Sequence, residues 1–216
     1  MIHVLLTGFG PFPGAPSNPS RALVERLSRM RRPALDGAKI AYHVFATRYG
    51  AIDRDFRVLV AAHNPDIILM FGLAARTRHI RVETRARNLM SFFPDAGGFV
   101  PKTRTIAAGA DHRRLSPSLA MRLRLAARSH GLRAEFSRDA GRYVCNYAFW
   151  RALETMSGNR ERTAAFIHIP NLRQAGAKTT RRSAPSLSGL ARTAEAILLS
   201  LVAAYKRAKT AAAPEG

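Results

Sequence analysis

"KIAYHVFATRYGAIDRDFRVLVAAHNPDIILMFG", residues 39–72, holds two apolar runs of strand length with an amphipathic segment between them. The first run, "KIAYHVFAT" (39–47), reads as a strand. "AIDRDFRVLVAAH" (51–63) has helical apolar spacing and is stopped by Asn64-Pro65. "DIILMFG" (66–72) is apolar on consecutive residues, so that strand is expected to be covered on both faces. Strand, helix and doubly covered strand in this order form the unit of a parallel sheet.

The same alternation continues in both directions. Upstream, "HVLLTGF" (3–9) is a buried strand ended by Gly and Pro, and "SRALVERLSRM" (20–30) is a helix with Pro19 near its start. Downstream, "HIRVETRARN" (79–88) alternates: Ile80, Val82, Thr84 and Ala86 face one way, and Arg81, Glu83, Arg85 and Arg87 the other. A loop rich in Gly, Pro and Phe covers 89–112. A helix is expected over 116–131, with Ser116 as N-cap, Pro117 at the first helical position and Gly131 as the stop. A strand at 132–137, a helix at 143–156, a strand at 163–170 and a long helix at 186–207 complete the pattern. No internal repeat is visible. The fold class is therefore α/β, with a mostly parallel sheet covered on both faces in a single domain over 1–207. Residues 208–216 are expected to be a frayed tail.

The chain has 216 residues, 47% of them hydrophobic, which suits one packed domain and excludes extensive disorder. The apolar run "AEAILLSLVAAY" falls short of a membrane span, and "MIHVLLTGFG" lacks the features of a signal peptide. A single cysteine makes no internal disulfide, as in a reducing interior. The expectation is a soluble, cytoplasmic protein with no membrane partner. Thirty-five Lys+Arg against 14 Asp+Glu give a net charge of +21. Only five of these are lysine, which leaves 30 arginines (35 − 5), with short runs at 29–32, 76–87 and 178–182. Such runs without interleaved aromatics indicate a solvated arginine-rich surface rather than specific nucleic-acid recognition.

Several chemistries lack their motifs. "TGFGPFPG" imitates a dinucleotide fingerprint, but the spacing to Gly14 is one residue too long, and Pro11 and Pro13 remove amides a pyrophosphate needs. There is no G-x-S-x-G elbow and no phosphate-binding Walker loop. The seven histidines are scattered without metal-ligand spacing, so neither metal nor cofactor is expected.

Three residues remain as candidates. Cys145 follows a tight "DAG" approach and falls in the first turn of a helix, where free amides and the helix dipole favour a thiolate. As a residue type alone it reads first as a small core side chain. His168 ends an apolar strand before Pro170, a place for a general base or for a histidine bonded to a loop backbone. Glu83 suits the group that orients an imidazole, or pairs with Arg81 and Arg85 on its own strand face.

Four blocks resemble the pyrrolidone carboxyl peptidases, cysteine peptidases also called pyroglutamyl peptidase I. "VLLTGFGPFPG" with "NPS" (4–20) is similar to that family's opening, and "ETRARN" (83–88) to its E-R-V-A-x-N block. "DAGRYVCN" (139–146) matches the segment around its nucleophile, and "FIHIPN" (166–171) the segment around its base. The terminal "PSLS" fits as well, so the likeness spans nearly the whole chain in order. The resemblance implies a three-layer α/β/α sandwich and a triad of Cys145 as nucleophile, His168 as base and acid, and Glu83 as orienter. It implies removal of N-terminal pyroglutamate from small peptides by acyl transfer through a thioester, without metal or cofactor. Phe9 and Phe12, with Tyr143 and Val144 alongside, would line the pocket around the lactam ring. Members often associate, so a homo-oligomer is compatible with the resemblance, although a +21 surface opposes it unless the contacts are apolar.

Two departures stand out. Leu73 replaces the family's glutamine after the third strand, and Phe92 or Phe93 stands where an arginine beside the oxyanion site is expected. Arg85 or Arg87 is the nearest replacement in sequence. Two further readings follow: a hydrolase of another small N-acyl amide or lactam, and a degenerate homologue acting as a basic binding protein.

Overall fold

The structure is a computed structural model and describes residues 1–158, 162–173 and 184–211. The basic run 178–182 and residues 212–216 lie outside that range. In chain order the elements are β1 (Ile2–Phe9), α1 (Pro19–Ser28), β2 (Ala38–Phe45), α2 (Tyr49–His63), β3 (Ile67–Leu73), β4 (Ile80–Glu83), β5 (Arg85–Ala86), β6 (Arg113–Arg114), α3 (Pro117–Arg128), β7 (Ala134–Ser137), α4 (Val144–Met156), β8 (Thr163–Ile169) and α5 (Leu187–Ala211). A short 3-10 turn occupies Pro33–Leu35.

Six strands form one sheet in the order β2-β1-β3-β8-β4-β7. All pairings are parallel except β4 against β8. The opening stretch supplies two of these strands. Its helix ends where Asn64 takes a left-handed conformation (φ 40°), which asparagine tolerates at a helix C-terminus, and Pro65 then prevents continuation.

Side chains alternate between the two sheet faces, and each face builds its own core. Val4, Leu6, Leu69, Phe71, Ile80, Val82, Ile167 and Ile169 pack against α1, α3 and α5. Leu5, Phe9, Ile68, Met70 and Phe166 pack against α2 and α4 on the other side. This is the three-layer α/β/α arrangement.

Three expectations change. The alternation over 79–88 does not make one strand. The Thr84 amide and hydroxyl both donate to the Ser137 carbonyl (2.7 and 2.8 Å), which ends the main-sheet ladder. Arg85–Ala86 then pairs with Arg113–Arg114 in a separate two-stranded sheet. Ser116 sits at the N-cap of α3, but its hydroxyl bonds the Ser118 hydroxyl (2.9 Å) rather than a backbone amide. The run "AEAILLSLVAAY" belongs to a 25-residue helix, long and apolar enough to cross a membrane by length and composition. Its Leu190, Ala194, Ile197, Leu201 and Tyr205 face the sheet and are buried, which makes it a core helix of this domain.

Candidate active site

The glycine-rich turn after β1 is fixed by packing and by polar side chains. A Cβ on Gly8 would lie 2.7 Å from the Ser20 carbonyl oxygen, so glycine lets α1 approach the strand. Ser20 Oγ accepts from the Phe9 amide (2.9 Å) and donates to Asn18 Oδ1 (2.8 Å). Asn18 Nδ2 and Thr47 Oγ1 both donate to the Gly10 carbonyl (3.1 and 3.2 Å). The loop is held from α1 and from the end of β2, and it carries Phe12 at its tip.

Glu83 and His168 meet because β4 runs antiparallel to β8. The register sets Arg81 opposite His168 and Glu83 opposite Phe166, so Glu83 lies diagonal to His168 on the same face. His168 Nδ1 is 2.8 Å from Glu83 Oε1. A carboxylate only accepts, so the Nδ1 hydrogen faces Glu83 and Nε2 is turned away from it. Glu83 is fully buried at 0% exposure, and its Oε1 also receives Arg81 Nε at 3.1 Å. Arg81 therefore pairs with Glu83 without displacing His168. The same guanidinium donates to Ser137 Oγ (2.6 Å) and to the Asp139 carbonyl, which ties the carboxylate to the turn that leads into α4. Arg85 does not pair with Glu83; its Nε donates to the Arg138 carbonyl (3.1 Å).

Cys145 is the second residue of α4, whose N-terminus has no side-chain cap. The first bond within this turn is Tyr147 N–H to the Tyr143 carbonyl (3.2 Å), which leaves the amides of the preceding turn for an incoming group. Its sulfur packs on β3: a Cβ on Gly72 would lie 3.1 Å from Cys145 Sγ and 2.8 Å from the Phe166 ring. Gly72 is the cross-strand partner of His168. The cysteine and the Glu83–His168 pair thus converge at the carboxyl ends of β3 and β8. Burial pushes the Cys145 thiol up to about 12, with the Glu83 charge adding to it. A helix N-terminus opposes this by about 2 kcal/mol at most. Desolvation and the helix end thus act on the Cys145 thiol in opposite directions.

The four expected pocket residues divide in two. Phe12 and Tyr143 are half-exposed with ring centroids 6.5 Å apart. Phe9 (1% exposed) and Val144 (0%) are enclosed in the core, Phe9 lying 6.1 Å from Phe166. They lie in the core rather than at the surface with Phe12 and Tyr143. Phe93, 61% exposed, joins the surface group at 6.2 Å from Tyr143, whose hydroxyl donates to the Pro94 carbonyl (3.1 Å). Phe92 lies under the Arg104 guanidinium at 4.9 Å. Arg87 pairs with Asp139 (3.3 Å), so it and Arg85 both grip the turn before α4.

Several supporting residues escaped the sequence reading. Asp95 is buried; its Oδ2 accepts from the Tyr49 amide at the start of α2 (3.0 Å), and its Oδ1 from the amides of Gly97 and Phe99 (2.8 and 3.1 Å). Asn88 bonds Ile106, Ala107 and Ala110, and Asn146 bonds the backbone of Arg87 and Leu89. Both asparagines stand inside the "ETRARN" and "YVCN" blocks, which were the available signal. Nothing in the sequence spacing marks Asp95. Among the described residues no three His, Cys, Asp or Glu side chains stand together to hold a metal.

Comparison with known proteins bears on this geometry. The family model described as pyroglutamyl peptidase matches residues 2–207. The chain belongs to the pyroglutamyl peptidase family. A pyrrolidone-carboxylate peptidase of Gloeobacter violaceus is 31% identical over 200 residues, 91% of this chain and 95% of that protein. The crystal structure of Bacillus amyloliquefaciens pyroglutamyl peptidase I superposes with a TM-score of 0.77 at 30% identity, covering 94% of this chain and 98% of that one. The pyrrolidone carboxyl peptidase of Thermococcus litoralis, at 24% identity and a TM-score of 0.82 over 96% of each chain, shares the fold. This pyroglutamyl peptidase family member is thus matched across nearly its full length, blocks and intervening segments alike.

Proposed function

We propose that the protein is a cysteine exopeptidase that removes N-terminal pyroglutamate from peptides, with Cys145, His168 and Glu83 as its triad. One observation carries this reading: the buried 2.8 Å contact of Glu83 with His168 Nδ1, on the strand whose partner Gly72 receives the Cys145 sulfur. The carboxylate holds the imidazole as the Nδ1–H tautomer and stabilises the imidazolium. His168 Nε2 takes the thiol proton as Cys145 Sγ attacks the pyroglutamyl carbonyl, so the thiolate forms within the reaction. The oxyanion is met by the free amides at the start of α4. His168 then protonates the departing amine, leaving a thioester. It next deprotonates a water that attacks the thioester, and pyroglutamate leaves as Cys145 regains its proton.

Phe12 and Tyr143 form the proposed apolar wall for the lactam ring, with Phe9 and Val144 behind them. The substrates are small peptides, no metal or cofactor takes part, and a reducing cytoplasm keeps the thiol free. A second reading, cleavage of another small N-acyl amide or lactam, is favoured by Phe93 on Tyr143 and by Arg85 and Arg87 being committed to the turn at 138–139. The test is hydrolysis of a fluorogenic pyroglutamyl amide by wild type and Cys145→Ala, with a prolyl amide as control. Cleavage of the pyroglutamyl compound alone, lost in the variant, is the expected result. A folded wild type inactive on it but active on other N-acyl amides would favour the second reading.

A further inference from the structure

A cleft of about 790 Å3 lies at the end of the sheet away from the triad. Helix α4 connects the two: Cys145 stands in its first turn, while Leu153, Met156 and Ser157 at its other end line the cleft. The separation is about 18 Å along the helix, at 1.5 Å per residue. Arg113, Arg114, Arg122, Arg162, Arg207 and His112 surround the space, and no carboxylate among the described residues lines it. Two of the guanidiniums are held by the fold. Arg113 pairs with Glu154 at 3.1 Å and lies 5.0 Å from the Trp150 ring centroid, and Arg162 donates to Asn64 Oδ1 at 2.8 Å. Arg114, Arg122 and Arg207 have no ion-pair partner among the described residues. Helix α3 opens onto the same cleft through Ser116, Ser118 and Leu119, with no side-chain cap to its backbone and no acid in its first turn.

Glu154 neutralises Arg113, and the remaining guanidiniums around the space make a positive field that attracts an anion. Guanidiniums bind phosphate oxygens in pairs, and uncapped helix amides favour the same group. The volume falls within the roughly 300–1,000 Å3 of small-molecule pockets rather than that of a groove for a polymer. Five arginines provide for more than one phosphate. We propose that this cleft binds a small compound carrying two or more linked phosphate groups, at a site separate from the triad.

Calorimetric titration of the full-length protein with inorganic triphosphate at about 0.15 M ionic strength tests this, since that salt screens the general surface field. Saturable one-site binding is expected, weakened about tenfold or more by Arg114→Glu with Arg122→Glu. The pair Arg31→Glu with Arg57→Glu lowers the net charge equally away from the cleft and is expected to leave affinity unchanged. Thermal unfolding confirms that both variants fold, and Arg114→Gln with Arg122→Gln replaces the reversal if they do not. Cys145→Ala protein is expected to bind as wild type does, which separates this proposal from the peptidase reading. Equal weakening by both charge-reversal pairs, or no saturable binding, would overturn it.

Discussion

At the level of single residues, Cys145 is a partly exposed cysteine whose thiol is raised mainly by desolvation. Alkylation of free enzyme by iodoacetamide should therefore accelerate steadily from pH 7 toward pH 11, since burial pushes the thiol up to about 12. A plateau reached below pH 8 would mean a preformed thiolate instead. Arg81 is a positioning residue that acts through Glu83, holding the buried carboxylate and the turn before α4 together. A hydrogen bond to a charged group is worth about 1.5–3 kcal/mol, so Arg81→Ala should lower kcat by about 10- to 100-fold. KM should stay nearly constant and Arg81→Lys should recover part of the loss. An equal loss through KM would point to substrate contact instead. Glu83 and His168 were legible as chemistry-bearing residues, and Arg81 was legible only as a competitor for Glu83. Their joint geometry depends on an antiparallel register that no local pattern encodes.

At the level of elements, the site depends on close approach between strands and helices. Gly72→Ala would set a methyl 2.8 Å from the Phe166 ring and 3.1 Å from Cys145 Sγ. Overpacking of this kind costs about 1–3 kcal/mol, so urea unfolding should show that loss, with kcat falling further as the sulfur is displaced. Unchanged activity would mean that Cys145 reacts from another position. Asp95 joins the aromatic loop to α2 by accepting three amide hydrogen bonds. Loss of a helix cap costs about 1–2 kcal/mol, so Asp95→Ala should destabilise by about that amount in urea and raise KM as Phe93 and Tyr143 separate. An unaltered KM would remove the loop from substrate binding. Strands and helices with strong apolar periods were readable to within a few residues. The break at Thr84 was not, because it follows from two hydrogen bonds to Ser137, 53 residues away. Asp95 was invisible for the same reason, capping a helix 46 residues from itself.

At the level of the whole molecule, alkaline stability follows from buried protons. Cys145, Tyr49 and Tyr147 are each pushed up to about 12, mainly by burial. The native state keeps these protons at pH values where the unfolded chain, titrating at about 8.5–10, has lost them. The unfolded state then binds fewer protons, so stability falls as pH rises. The contribution is fully present below about pH 8.5 and disappears as pH passes from about 9 to about 12. Urea unfolding at pH 8 and pH 10.5 should show the decline, and Tyr49→Phe should reduce it. The same pH dependence in the variant would place the lost protons elsewhere. By itself the sequence determined the α/β class, the buried central strands, the helix that presents Cys145 and the family, because these rest on local periodicity, turn chemistry and ordered motifs. Only the tertiary structure decided that β4 runs antiparallel to β8, that Arg81 bonds Glu83 and Asp95 caps α2, that desolvation raises the Cys145 thiol and that five arginines share one cleft. Those outcomes depend on which distant segments are brought together and how far water is excluded between them, and neither is written in any local stretch of the chain.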